Sequence, residues 1–133
     1  MIDSRDINDL LPVVRAKCVA FVAACAKAGI EVKIISTYRD AARQNALYAQ
    51  GRTRPGKIVT YARAGSSWHN HRAAFDFAVV KHGAIDWGDT KSYRAARKIG
   101  EGLGLEGLNF ELAHLQFRGG KTIAQMQAGA KIS

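Results

Sequence analysis

The chain has 133 residues, 20 of them Lys or Arg against 11 Asp or Glu, for a net charge of +9. That is enough for one domain with a real core and too little for two; no apolar run approaches the roughly 18 residues that cross a bilayer, and Met1-Ile2-Asp3-Ser4-Arg5-Asp6 lacks the basic flank, apolar run and small-residue cleavage site of a secretory leader. The charge asks for an anionic partner, either nucleic acid or a phosphate- and carboxylate-rich surface, and no recognised nucleic-acid motif accompanies it.

Residues Pro12 to Lys27 carry Val14, Cys18, Phe21, Val22 and Cys25 at helical spacing, with Pro12 tolerable in a first turn and Gly29 as a stop. Cys18 and Cys25 fall on that one helix. Seven residues at about 1.5 Å rise separate them by about 10 Å, beyond the disulfide reach of about 7 Å. They read as small buried apolar groups. Glu31 to Ser36 is short, alternating and β-branched, and predicts a strand. Asp40 is placed to cap a helix from Ala41 to Gln50, stopped by Gly51. Arg39, at the junction, either presents its planar fork to a carboxylate or developing oxyanion, or simply pairs with Asp40. Gln44 and Tyr48 lie one turn apart, facing a cleft or serving the core. Arg52 to Ser67 has no clean period, contains Pro55, Gly56 and Gly65, and concentrates Arg52, Arg54, Lys57 and Arg63. It reads as a long loop, and such loops are often functional.

Ala73 to Val80 predicts a strand with Phe75, Phe77 and Val79 on one face and Asp76 on the other, between Ala74 and Ala78. His69 stands an odd number of residues before Asp76, so a turn at Asn70 to Arg72 must swing it to Asp76's side. Trp68 reads as packing. Lys81-His82-Gly83-Ala84 is a turn with His82 at the surface, followed by a return strand Ile85-Asp86-Trp87, with Trp87 as core or cleft wall. Thr90 is placed to cap a helix from Lys91 to Leu103, and Gly104 and Gly107 break the chain after it. Glu111 and His114 share a face on a helix but oppose each other on a strand. An irregular segment is therefore expected, with His114 opening a short strand that aims Gln116 the same way. Thr122 to Ala128 forms a final short helix. Mixed helices and short, mainly antiparallel strands make one α+β domain over residues 1–133.

A catalytic zinc ion takes three protein ligands of N, O or S type and leaves one position open. His69, Asp76 and His114 supply two imidazoles and a carboxylate, with Glu111 left as a general base. His71, two residues from His69, is the rival ligand. The bland alternative is a satisfied buried His–Asp pair.

The order Ser67-x-His69, then Asp76, then Glu111-x-x-His114 resembles the zinc D,D-carboxypeptidase and L-alanyl-D-glutamate endopeptidase family, which includes VanY-type enzymes and many phage endolysins. Ser36-Thr37-Tyr38-Arg39-Asp40 resembles it too, as does the stretch from Gln44 through Gly51-Arg52-Thr53 and Pro55-Gly56 to Val59-Thr60. The similarity runs from about Leu11 to Gln116. It implies a Hedgehog/D,D-peptidase-like fold, with a short, mainly antiparallel sheet packed by helices. It also implies a zinc ion held by His69, Asp76 and His114, with Glu111 as catalytic base. Arg39 is implied to act on the oxyanion or a substrate carboxylate, with Gln44 and Ser67 at the substrate. Relatives often have glycine at the position of Arg72 and, in this branch, aspartate at Glu111. The short segment from Leu103 to His114 is expected to trim one cleft wall.

The function so implied is zinc-dependent hydrolysis of the L-alanyl-D-glutamate bond of the peptidoglycan stem peptide by a phage endolysin. Such a protein is expected to be monomeric, with no nucleic-acid partner and no stable membrane association. It would wait in the host cytoplasm until released to the wall. Two alternatives stand beside it. One is a D-alanyl-D-alanine carboxypeptidase, which normally needs export. The other is a non-enzymatic basic zinc module for nucleic acid, whose affinity would fall steeply with salt.

Overall fold

A computed structural model describes all residues from Met1 to Ser133. Helix α1 (Pro12–Lys27) buries Val14, Cys18, Phe21 and Cys25, which recur every three or four residues and so line one face. Strand β1 (Val32–Ser36) leads to α2 (Ala41–Ala49), whose cap Asp40 accepts a hydrogen bond from the Arg43 N–H at 2.8 Å. The chain continues through β2 (Ala74–Lys81), β3 (Ala84–Ile85), α3 (Thr90–Gly102), β4 (Glu106–Leu108), β5 (Glu111–Gln116) and α4 (Ile123–Gln127). No helix is long and apolar enough to cross a membrane.

The sheet is antiparallel in the order β1-β2-β5-β4, with β3 against the end of β2. Alternation along β2 sends Phe75, Phe77 and Val79 to the face that α1 and α3 cover. Phe21 meets Phe75 and Phe77 at ring-centroid distances of 5.6 and 5.1 Å, and Tyr93 stacks on Phe77 at 5.7 Å. The Tyr93 hydroxyl accepts the Val79 N–H at 3.0 Å. At Gly100 of α3 a Cβ would stand 2.7 Å from a Leu115 methyl, so only glycine lets the helix lie this close to β5. Full burial of each large apolar side chain contributes about 1.5–3 kcal/mol, and this face holds the sheet firm beneath the opposite one.

The opposite face carries Ser36, Asp76, His114 and Gln116, and two irregularities place them there. In β1 the pairing slips between Ile34↔Phe77 and Ser36↔Asp76, which makes Ile35 a bulge and turns Ser36 toward Asp76. In β5 the pairing jumps from Leu108↔Glu111 to Gly107↔Leu115. Leu112, Ala113 and His114 are thus extra residues with no β4 partner. An odd insertion reverses the facing of everything before it, and so returns Glu111 to His114's side. The expected irregularity is present, but β5 opens at Glu111 rather than His114. The return strand is shorter than expected, only Ala84–Ile85: the Asp86 N–H still donates to the Val79 carbonyl at 2.8 Å, and the chain then bends away at Trp87 and Gly88.

Candidate metal centre and its cleft

His69 lies on a single 3-10 turn, Trp68–His71. Ser67 caps that turn through its hydroxyl, and Asn70 closes it by accepting from the Ser67 N–H at 3.2 Å. Arg72 ends it in the left-handed region at φ 60. That conformation costs an ordinary residue about 1–2 kcal/mol and glycine little. Here Arg72 is held by stacking on Tyr38 at 3.9 Å and by donating to the Asp9 carbonyl at 3.0 Å. The turn supplies the swing that the odd spacing to Asp76 demanded.

On β2 and β5, Asp76 and His114 are direct cross-strand partners. Asp76 Oδ1 lies 3.1 Å from His69 Nε2 and 3.2 Å from His114 Nδ1. The far nitrogen of each ring is already committed. His69 Nδ1–H donates to the Thr37 carbonyl at 2.8 Å, and His114 Nε2–H to Gln116 Oε1 at 2.8 Å. Each neutral imidazole therefore aims its lone pair at a carboxylate oxygen, and three acceptors converge. Only shared positive charge relieves that arrangement: protons on the rings, or a metal ion. Burial opposes ionisation of Asp76, but the two histidines outweigh it and hold the carboxyl well below its usual range. Burial likewise opposes protonation of His114, but Asp76 outweighs it and lifts the imidazole above its ordinary value.

The donor set fits zinc. All three ligand atoms lie within 4.8 Å of one another, and bonds of about 2.0–2.2 Å to one ion put ligands roughly 3–4 Å apart. The second partners, Thr37 and Gln116, fix ring orientation as partners of metal-bound histidines do. His71 is not among these residues; its Nε2 donates to the Gly65 carbonyl at 2.8 Å.

Glu111 is partly exposed, with Oε2 3.6 Å from His114 Nδ1. Arg39 reaches the site from the other side. Its Nη2 lies 3.5 Å from Asp76 Oδ2, and its Nη1 donates to Gln44 Oε1 at 3.1 Å. Gln44, expected at the substrate, is instead fully buried and does not line the cleft. Its amide donates to the Ala62 carbonyl at 2.7 Å, so it ties Arg39 to the loop wall. Ser67 does line the cleft, with its hydroxyl engaged as the cap of the His69 turn.

The cleft is about 640 Å³. Val59 to Ala62 and Ser66 to Trp68 form one wall, and Leu108 and Phe110 to Ala113 the other. The short segment before His114 thus builds a wall, as the β4–β5 hairpin. Tyr61 and Phe110 are 76% and 71% exposed and meet edge to face at 6.3 Å across the mouth. Trp87 is cleft wall rather than core, 60% exposed and stacked on Tyr93.

Sequence reasoning missed Asp3. Residues Ile2 to Ser4 pair with Tyr38 to Asp40, which brings Asp3 Oδ1 to 3.8 Å from Arg39 Nε and Asp3 Oδ2 to 2.9 Å from Arg43 Nε. Arg39 Nε is buried without a hydrogen-bond partner, so Asp3 acts on it as a nearby charge. Only a pairing partner 36 residues away could have revealed this.

A family model described as VanY, D-alanyl-D-alanine carboxypeptidase, matches residues 8–112, a stretch that contains His69, Asp76 and Glu111 and stops just short of His114. The peptidoglycan L-alanyl-D-glutamate endopeptidase CwlK of Bacillus subtilis (strain 168) is 48% identical over 81 residues, which cover 60% of this chain and 48% of CwlK. The chain thus spans about half the length of that curated relative. Among solved structures, the LdcB LD-carboxypeptidase superposes with a TM-score of 0.66 at 20% identity, over 90% of this chain and 64% of LdcB. A vancomycin-resistance D,D-pentapeptidase VanY variant in complex with Zn(II) gives a TM-score of 0.64 at 14% identity, over 92% of this chain and 80% of that one. At such identities the structural likeness speaks for the fold, which is the α+β fold of these peptidases. Since the family match takes in α1, the sheet strands β1 and β2, the His69 turn and Glu111, the chain belongs to the VanY D-alanyl-D-alanine carboxypeptidase family.

Proposed function

We propose that this protein is a zinc-dependent peptidoglycan endopeptidase that cleaves the L-alanyl-D-glutamate bond of the stem peptide, working as a phage endolysin. The observation that carries the chemistry is the convergence of His69, Asp76 and His114 acceptors on one point, with Glu111 beside it on the cleft wall. The likeness to CwlK carries the choice of bond. The endolysin role rests on the resemblance of the Tyr38–Thr60 stretch to phage enzymes and on a net charge of +9, which suits an anionic wall.

His69, Asp76 and His114 would hold the ion, which when bound polarises the scissile carbonyl and acidifies water. Thr37 and Gln116 keep both imidazoles turned so that the unprotonated nitrogens face inward. Glu111 takes the attacking water's proton on its carboxylate and delivers it to the leaving amine. Arg39, fixed by Gln44 and Asp3, presents a preorganised cation to the oxyanion and costs no reorganisation when charge develops. Tyr61 and Phe110 narrow the mouth and limit water around the peptide.

Digestion of purified peptidoglycan tests the reading, with new amino termini identified by mass spectrometry and metal content measured in parallel. New D-glutamate amino termini, abolished by chelation and restored by zinc, are expected. Release of free D-alanine with the L-alanyl-D-glutamate bond intact would promote the carboxypeptidase reading suggested by the family description. Full activity in chelator without bound metal would overturn the zinc assignment.

A further inference from the structure

From Ala41 to Phe75 the chain contains no Asp or Glu, yet it carries six Arg or Lys. Two of them are paired from outside, Arg43 with Asp3 and Arg72 with Asp9. Arg52, Arg54, Lys57 and Arg63 have no carboxylate within ion-pair distance. Four unpaired cations on one exposed loop repel one another, and nothing in the fold neutralises them.

Two of the four are held in place. The Arg52 guanidinium lies 3.9 Å over the Tyr48 ring and donates to the Tyr48 carbonyl at 2.7 Å. The Arg63 guanidinium lies over the same ring at 5.1 Å. Arg52 also stands 5.8 Å from the ring of Tyr61, which lines the cleft mouth. The loop beneath is tightly closed: Gly51 sits at φ 79, and a Cβ there would stand 2.7 Å from the Ile58 nitrogen. Stacked, backbone-anchored arginines lose little freedom on binding an anion, and their forks match a carboxylate.

We infer that Arg52 and Arg63, gathered on Tyr48 at the outer edge of the loop wall, form a subsite for the carboxyl-terminal carboxylate of the peptide that occupies the cleft. The inference rests on the proposed substrate class. In a wall stem peptide the free carboxylates follow the L-alanyl-D-glutamyl bond, whereas the acyl side leads through L-alanine to an uncharged lactyl sugar. The subsite therefore also orients the peptide: its leaving-amine side runs past Tyr61 toward the arginines. A nucleic-acid phosphate would use the same cations, but the arginines border a cleft whose floor is the His–Asp–His group, which favours the peptide.

Binding, rather than turnover, tests this. The peptide L-alanyl-γ-D-glutamyl-L-lysine, with the lysine carboxyl either free or amidated, is titrated calorimetrically into the full-length Glu111→Gln protein. The free acid should bind about fivefold tighter than the amide at low salt. The gap should close in about 1 M salt, where screening acts within about 3 Å. In the background of Glu111→Gln, adding Arg52→Gln with Arg63→Gln should remove the gap while leaving amide binding unchanged, and Lys at both positions should restore part of it. Equal binding of acid and amide to the Glu111→Gln protein overturns the subsite without recourse to further variants. So does a gap that survives loss of both arginines. Tighter salt-dependent binding of a single-stranded DNA oligonucleotide than of the free acid overturns it in favour of nucleic acid. If the gap is present but the parent protein cleaves no wall peptide, the endopeptidase reading falls while the subsite stands.

Discussion

Around Asp76 Oδ1, an imidazole nitrogen stands on either side at 3.1 and 3.2 Å, and neither ring can turn away without abandoning Thr37 or Gln116. In the proposed mechanism that commitment would separate holding the ion from moving the proton. Glu111 is not part of the mutual lock, since its only contact there is 3.6 Å from His114 Nδ1. Glu111→Gln keeps the side chain's shape and removes its proton acceptor. We expect it to retain one zinc per chain and the parent melting temperature, while hydrolysis falls by about 10²–10⁴-fold. Metal analysis alongside muropeptide kinetics checks this. Activity within a few-fold of the parent would give Glu111 a structural role, and loss of metal would make it a ligand.

Among the elements, α3 braces the site from behind. It packs Gly100 on Leu115, the residue between His114 and Gln116, and Tyr93 on Phe77, the residue after Asp76. Its start is joined to the end of β2 by Asp89, which accepts from the Ser92 N–H at 3.2 Å and pairs with Lys81. The Lys81 hydrogen bond, then those from Ser92, push the Asp89 carboxyl down to about 2. A folded-state value below the ordinary carboxylate value means that this contribution is complete above about pH 4. It is lost as the pH falls toward 2. Asp89→Asn keeps the capping oxygen and removes the charge. Urea midpoints measured at neutral pH and near pH 2 should therefore fall less on acidification for Asp89→Asn than for the parent. An equal fall in both would show that the pair contributes nothing to acid sensitivity.

At the scale of the whole molecule, the α1–sheet–α3 core is continuous, and both cysteines lie inside it as free thiols. Burial pushes the Cys18 thiol up to about 12 and the Cys25 thiol to about 11. The thiolate is the reactive form, so neither should react in the native state. Labelling with an aromatic disulfide reagent at neutral pH should be slow and reach two thiols per chain only when denaturant unfolds the domain. Rapid labelling of either thiol without denaturant would mean that α1 detaches locally from the sheet. The same whole-molecule view sets the charge in context: among the cations without a carboxylate partner, Arg52, Arg54, Lys57 and Arg63 lie together on one loop, so part of the net charge acts at one edge of the cleft.

The helix of residues 12–27 and the strand through Asp76 were legible in the chain itself, and the grouping of His69, Asp76 and His114 was legible through the family resemblance of the motifs that carry them. Helical and strand periods are local, and the ligand chemistry of imidazole and carboxylate belongs to the residue. The odd spacings from His69 to Asp76 and from Glu111 to His114 likewise announced a turn and an irregular strand. What the local pattern could not supply was register. A slip at Ile35 turns Ser36 to the site, and three unpaired residues in β5 carry Glu111 round to His114. The helix position of Gln44 leaves cleft and core both open and the family resemblance puts it at the substrate, yet it is buried because the loop folds over it and offers the Ala62 carbonyl. Asp3 gains its place beside Arg39 only when residues 2–4 pair with residues 37–40. Such placements arise from hydrogen-bond pairing between distant segments, and a one-residue slip in that pairing moves a side chain to the other face of a sheet.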